Sequence, residues 1–141
     1  MKTLKTIAAT LLIAFSFSSF AADGTAKEKL EMNYALKTYI AAVTEGRIAP
    51  LPEVLDKEVK FTSTRGEKII SHNKIQMLNT LKVSENVKQN CSTSFSVVEG
   101  TPTFSVVKVT MKYDNFSRVS YLNLANTGNG WKITSVSTSF I

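Results

Sequence analysis

The chain has 141 residues, 43% of them hydrophobic, with 17 basic against 11 acidic side chains and a net charge of +6. That is enough apolar material for one core, and the basic residues are scattered rather than clustered, which excludes the dense positive stripe of a nucleic-acid binder. One histidine and one cysteine exclude a His/Cys metal site and an intrachain disulfide.

The first stretch, MKTLKTIAATLLIAFSFSSFAAD, carries Lys2 and Lys5, then an apolar run from about Ile7 to Phe20, then small residues. This is the pattern of a secretory signal peptide, with cleavage expected after Ala21 or Ala22. The run is too short and too rich in serine for a membrane span, which needs roughly 20 apolar residues. No cysteine follows it to take a lipid. The expected organisation is a signal peptide over 1–21 and a single domain over 22–141. The expected location is the periplasm or the extracellular space, in soluble form, with no membrane association after cleavage.

Thr25 and Glu28 have the spacing of a capping box, which predicts a helix starting near Ala26. Met32, Leu36, Tyr39, Ile40 and Val43 then recur at the spacing of one helical face, and Gly46 supplies a left-handed stop. Pro50 and Pro52 break the chain, with Pro52 able to open a single helical turn through Leu55. VKFTSTRGEKII reads as a hairpin turning at Arg65 and Gly66. Ser71 is a possible N-cap for a second helix that carries Ile75, Leu78 and Leu81. Beyond Val87 the chain is rich in Val, Thr, Phe and Tyr, and four strands are separated by turns at Glu99 to Pro102, Asp114 to Asn115 and Asn126 to Gly130. Helices first and strands last indicate an α+β domain, with a curved antiparallel sheet wrapped around the long N-terminal helix.

A two-residue turn at Asp114 and Asn115 sets the register of the strands beside it. Met111 then faces Arg118, Val109 faces Ser120 and Val107 faces Leu122, on the side expected to wrap the helix. In the next hairpin, matching Leu124 with Trp131 and Leu122 with Ile133 groups the large residues. That register brings Ser135 and Ser137 beside Ser120 and Arg118. The expected concavity is apolar at one end and hydroxyl-lined at the other, with one guanidinium.

The ligand-pocket candidates are therefore Tyr39, Met111, Tyr113, Arg118, Ser120, Leu122, Trp131, Ser135 and Ser137. Arg118 is the sharpest of them, because a guanidinium in an apolar wall calls for a carboxylate or phosphate partner. His72, read into the first turn of the second helix, and Tyr39 are weak catalytic candidates. Glu99 and Asp114 are read into turns, so the four long strands lack the wall carboxylate that acid–base chemistry would use. Cys91 reads as a small buried hydrophobe. No metal site and no cofactor are expected.

RVSYLNLANTGNGWKITSVSTSF, with its aromatic-Leu-x-Leu strand, Gly-containing turn and Trp-x-Ile strand, resembles the nuclear transport factor 2-like superfamily of cystatin-like α+β cones. Within it, the resemblance is to the lumazine-binding-like and polyketide-cyclase-like branches. YALKTYIAAVTEGRIAPLPEVLDKEVKF matches their long helix and the loop into the first strand. Where that branch usually has an acid before the aromatic residue, this chain has Ser120, so no acidic ligand or base carries over. The resemblance implies a homodimer through the outer sheet face. Catalytic members of the superfamily imply an isomerase, dehydratase or cyclase as the alternative to binding alone, and a protein-interaction module is the third reading. The leading expectation is an exported domain that holds a small polar or anionic molecule without catalysis.

Overall fold

The computed structural model describes Lys27 and residues 30–141. The signal peptide, its cleavage site and the Thr25/Glu28 capping box lie outside the described residues. The elements run α1 (Met32–Glu45), α2 (Leu51–Val54), β1 (Leu55–Arg65), β2 (Lys68–His72), α3 (Lys74–Lys82), β3 (Ser92–Gly100), β4 (Phe104–Lys112), β5 (Ser117–Thr127) and β6 (Gly130–Phe140). One six-stranded sheet has the order β2-β1-β6-β5-β4-β3. All its pairings are antiparallel except β1 with β6, which is parallel. The sheet is curved and open, so the expected α+β class and four-strand meander are observed.

Helix α1 starts at Met32 behind Glu31, which makes no side-chain cap, several residues later than the expected Ala26. Its buried stripe, Leu36, Tyr39, Ile40 and Val43, is the one its periodicity indicates, and it packs into the concave side of the sheet with Val107, Met111, Leu122 and Ile133. Gly46 ends the helix at φ +68°. A side chain there would meet the backbone: a Cβ would sit 2.4 Å from Asn86 N and Ser84 O. This close approach lets the 84–89 strap tie onto the helix end, with Asn86 N–H donating to Gly46 O at 3.0 Å and Gln89 N–H to Thr44 O at 2.6 Å. Only glycine satisfies both the left-handed backbone and the contact.

The second helix begins later than Ser71. Phe61 pairs with His72 and Thr62 with Ser71, so strand pairing claims both residues for β2, and His72 is not in a helical first turn. Asn73 caps α3 instead: its carboxamide accepts from Gln76 N, and Gln76 returns a bond to Asn73 N, each at 2.9 Å. None of the nine residues of α3 is buried. Lys74 holds it, donating to Pro52 O and Leu55 O at 2.9 and 3.1 Å. The β1–β2 turn is one residue further on than expected, at Gly66 and Glu67, because Arg65 pairs with Lys68. Glu99 belongs to β3, opposite Val106, rather than to a turn.

The β4–β5 register agrees with the sequence expectation: Met111 faces Arg118, Val109 faces Ser120 and Val107 faces Leu122. The β5–β6 register does not. Leu124 pairs with Ile133 and Asn126 with Trp131, and a bulge then shifts the ladder so that Leu122 pairs with Val136. Thr134 is the extra residue, and its hydroxyl donates to Asn123 O at 3.2 Å. One inserted residue reverses the facing of everything after it. Trp131 and Ile133 keep the concave side, and beyond the bulge Thr138 and Phe140 take the positions beside Ser120 and Arg118 that were expected of Ser135 and Ser137.

Candidate functional site

Reading across the concave face gives a ladder of rows. Ser63, Thr138 and Ser120 are successive cross-strand neighbours on β1, β6 and β5, and Ser120 Oγ lies 2.8 Å from Thr138 Oγ1 in a buried contact. Two residues further along each strand the chemistry changes. Phe140 pairs with Arg118, and Arg118 with Met111. Arg65 of β1 places its guanidinium 5.2 Å from the Phe140 ring centroid. The rim beyond is aromatic, with Phe116 stacked on Tyr113 at 4.6 Å and 10°. Thus an apolar floor gives way to hydroxyls, then to cations and rings.

Tyr113 is the hub of this end. Its hydroxyl bonds to Gln89 Oε1, and continuing the β3–β4 register places Cys91 directly opposite it. Burial, reinforced by the neighbouring Cys91 thiol, pushes the phenol up to about 12, while Arg118 acts in the opposite sense and Tyr39 adds to the rise. Tyr39, Cys91, Tyr113 and Arg118 therefore form one electrostatic cluster. Within it Tyr39 Oη and Arg118 Nε are buried with no hydrogen-bond partner. Native interiors rarely leave such groups unpaired, and each costs about 1–3 kcal/mol. A neutral phenol and a guanidinium N–H are both donors, so the arrangement is suited to receive oxygen atoms of an anion or a polar molecule.

A family model described as "Putative lumazine-binding" matches residues 27–139. The chain belongs to that family. Solved structures share its fold. A nuclear transport factor 2-like protein of unknown function from Silicibacter pomeroyi DSS-3 has a TM-score of 0.68 at 12% identity, covering 84% of this chain and 100% of its own. Another of unknown function, from Methylobacillus flagellatus KT, has a TM-score of 0.66 at 13% identity, covering 88% and 99%. A ketosteroid isomerase-like protein from Erwinia carotovora atroseptica SCRI1043 has a TM-score of 0.59 at 15% identity, covering 81% and 97%. No curated protein matches the chain. At these identities the likeness establishes the nuclear transport factor 2-like fold alone.

Within this lumazine-binding-type cone, the residues expected to line a pocket separate into three groups. Tyr39, Met111, Tyr113, Arg118, Ser120 and Leu122 gather on the inner side, Leu122 and Met111 fully buried. Trp131 lies at the other end of the sheet, beside Asn126, so it packs the core far from Arg118. Ser135 and Ser137 face outward beside Asn123 and Tyr121, because the bulge reverses them. His72 sits beside Phe61 on β2, outside the tyrosine–arginine cluster. Cys91, Gln89, Phe116, Thr138, Phe140 and Arg65 belong to this end although they were not among the candidates. The two-residue turn at Asp114 and Asn115 that pairs Met111 with Arg118 also places Phe116 opposite Tyr113, but nothing in the local sequence announces the bulge that brings in Thr138 and Phe140.

Two adjoining hollows of about 230 and 350 Å³ lie elsewhere, between the end of α1, the 84–89 strap and α3, and share Ile48, Ala49 and Glu85. None of the expected pocket residues lines them. Among the described residues no three His, Cys, Asp or Glu side chains gather as metal ligands, and no helix is long and apolar enough to cross a membrane.

Proposed function

We propose that this protein is exported and holds a small polar or anionic molecule on its concave face, with Arg118 and Tyr39 as the recognising donors and no reaction performed. The observation that carries the reading is the pair of buried, unpartnered atoms, Tyr39 Oη and Arg118 Nε, in one cluster with Tyr113. Membership in a family described as "Putative lumazine-binding" supports a ligand-holding role. A charge-assisted bond from Arg118 contributes about 1.5–3 kcal/mol.

An acid–base enzyme is the weaker reading. The cluster of Tyr39, Cys91, Tyr113 and Arg118 contains no carboxylate, Glu99 is paired on the convex side, and His72 is on a different strand pair. Native mass spectrometry of protein purified from its host's envelope tests the main proposal. A retained mass that disappears in Arg118→Gln supports it. A bare wild-type protein, or a bound mass indifferent to Arg118→Gln, rejects it. The N-terminal residue of that material tests export: a start at Ala22 or Asp23 supports it and intact Met1 rejects it.

Homodimerisation is a separate proposal, supported by Phe104 and Tyr121, 40% and 41% exposed on the convex face. Light scattering that shows a monomer at high concentration rejects it.

A further inference from the structure

The mouth of the concave face combines two features that the anion reading does not use. Phe116 and Phe140 are large aromatics left 44% and 39% exposed, their centroids 6.2 Å apart and their planes tilted by 51°. Phe140 also lies between two arginines, since its backbone pairs with Arg118 on β5 and its ring lies beneath the Arg65 guanidinium of β1. Strand alternation puts Phe116, Arg118 and Phe140 on one side of the sheet. The rings are therefore in reach of any molecule whose anionic group meets Arg118.

A carboxylate alone would leave both rings wet. An aliphatic acid would cover them by area alone. A planar aryl group adds ring–ring contact with Phe116 and Phe140, and offers its own face to the Arg65 cation. We infer that the ligand class is the aromatic carboxylate, its carboxylate donated to by Arg118 through its buried Nε and its ring seated on the Phe116 and Phe140 rim. This rests on the anion-binding reading above and narrows it. The rim then provides selectivity, because two exposed rings and a cation discriminate aryl from alkyl where a guanidinium by itself does not.

The test uses the mature full chain and two acids of matched size, benzoate and cyclohexanecarboxylate, with affinity read by isothermal titration calorimetry. Benzoate is expected to bind at least ten-fold tighter. Phe140→Leu, with Phe116→Leu as the second variant should the first misfold, is expected to erase most of that preference while leaving cyclohexanecarboxylate within about three-fold. Arg118→Gln is expected to weaken both acids. Equal affinity for the two acids, with both lost in Arg118→Gln, overturns the aromatic assignment and leaves the anion reading standing. Binding of neither acid, or binding indifferent to Arg118→Gln, overturns both. A benzoate preference that survives both leucine variants overturns the rim.

Discussion

Ser120 Oγ lies 2.8 Å from Thr138 Oγ1, a hydroxyl pair buried between β5 and β6 with 1% and 7% exposure. The pair exists because the bulge at Thr134 turns Thr138 inward, and it stitches the shifted ladder just where the concave face becomes polar. Removing one partner leaves the other unsatisfied in a site with little water. Ser120→Ala is therefore expected to cost about 1–2 kcal/mol, and Ser120→Ala with Thr138→Val less than the sum of the two single changes. Urea unfolding of the four proteins in the cycle measures this, and strict additivity would remove the pair from the account.

The bulge itself is open to test on neighbouring residues. Val136 is 1% exposed and Ser137 is exposed, the reverse of the unbulged register. Val136→Asp is expected to cost at least about 4 kcal/mol or to prevent folding, while Ser137→Asp stays within about 0.5 kcal/mol. Thermal denaturation distinguishes them, and the opposite ranking would restore the register expected from pairing Leu122 with Ile133.

Gly46 is held by two independent constraints, a left-handed backbone and a strap backbone 2.4 Å from any Cβ. Gly46→Ala is expected to lose at least about 2 kcal/mol. Amide hydrogen exchange should show where the loss falls, in the bonds from Asn86 to Gly46 and from Gln89 to Thr44. Protection unchanged there would mean that the strap is not anchored at this residue.

Tyr113 makes stability depend on alkaline pH. Its phenol in the folded protein is raised to about 12 from 10.0, first by burial and then by Cys91. The unfolded chain thus releases this proton earlier than the folded one, so the contribution is complete below pH 10 and is lost as pH rises toward 12. Tyr113→Phe should flatten that part of the stability profile, as read by denaturant midpoints across the range. An unchanged alkaline slope would assign it to other groups.

Tyr39 is expected to show the opposite of an ordinary core substitution. Tyr39→Phe removes a buried hydroxyl that has no partner while keeping the ring, so the unliganded protein should become more stable by about 1 kcal/mol and bind its ligand less well. Calorimetric unfolding with and without the ligand checks both halves; a destabilised variant would mean that the hydroxyl already has a partner.

By itself the sequence determined what local chemistry controls. The stripe of Leu36, Tyr39, Ile40 and Val43 specifies which face of α1 is buried, and Gly46 specifies where it stops. The two residues Asp114 and Asn115 leave one register for β4 and β5, which places Arg118 beside Met111 and Ser120 on the inner side. Long-range pairing decided the remainder. His72 is strand rather than helix because Phe61 stands opposite it. Thr138 and Phe140 replaced Ser135 and Ser137 because the parallel partner β1 and the antiparallel partner β5 hold β6 in one ladder only with Thr134 bulged. A side chain's face alternates with every residue, so a single insertion selected by contacts far away in the chain reverses it, and no local pattern in WKITSVSTSF records which side was chosen.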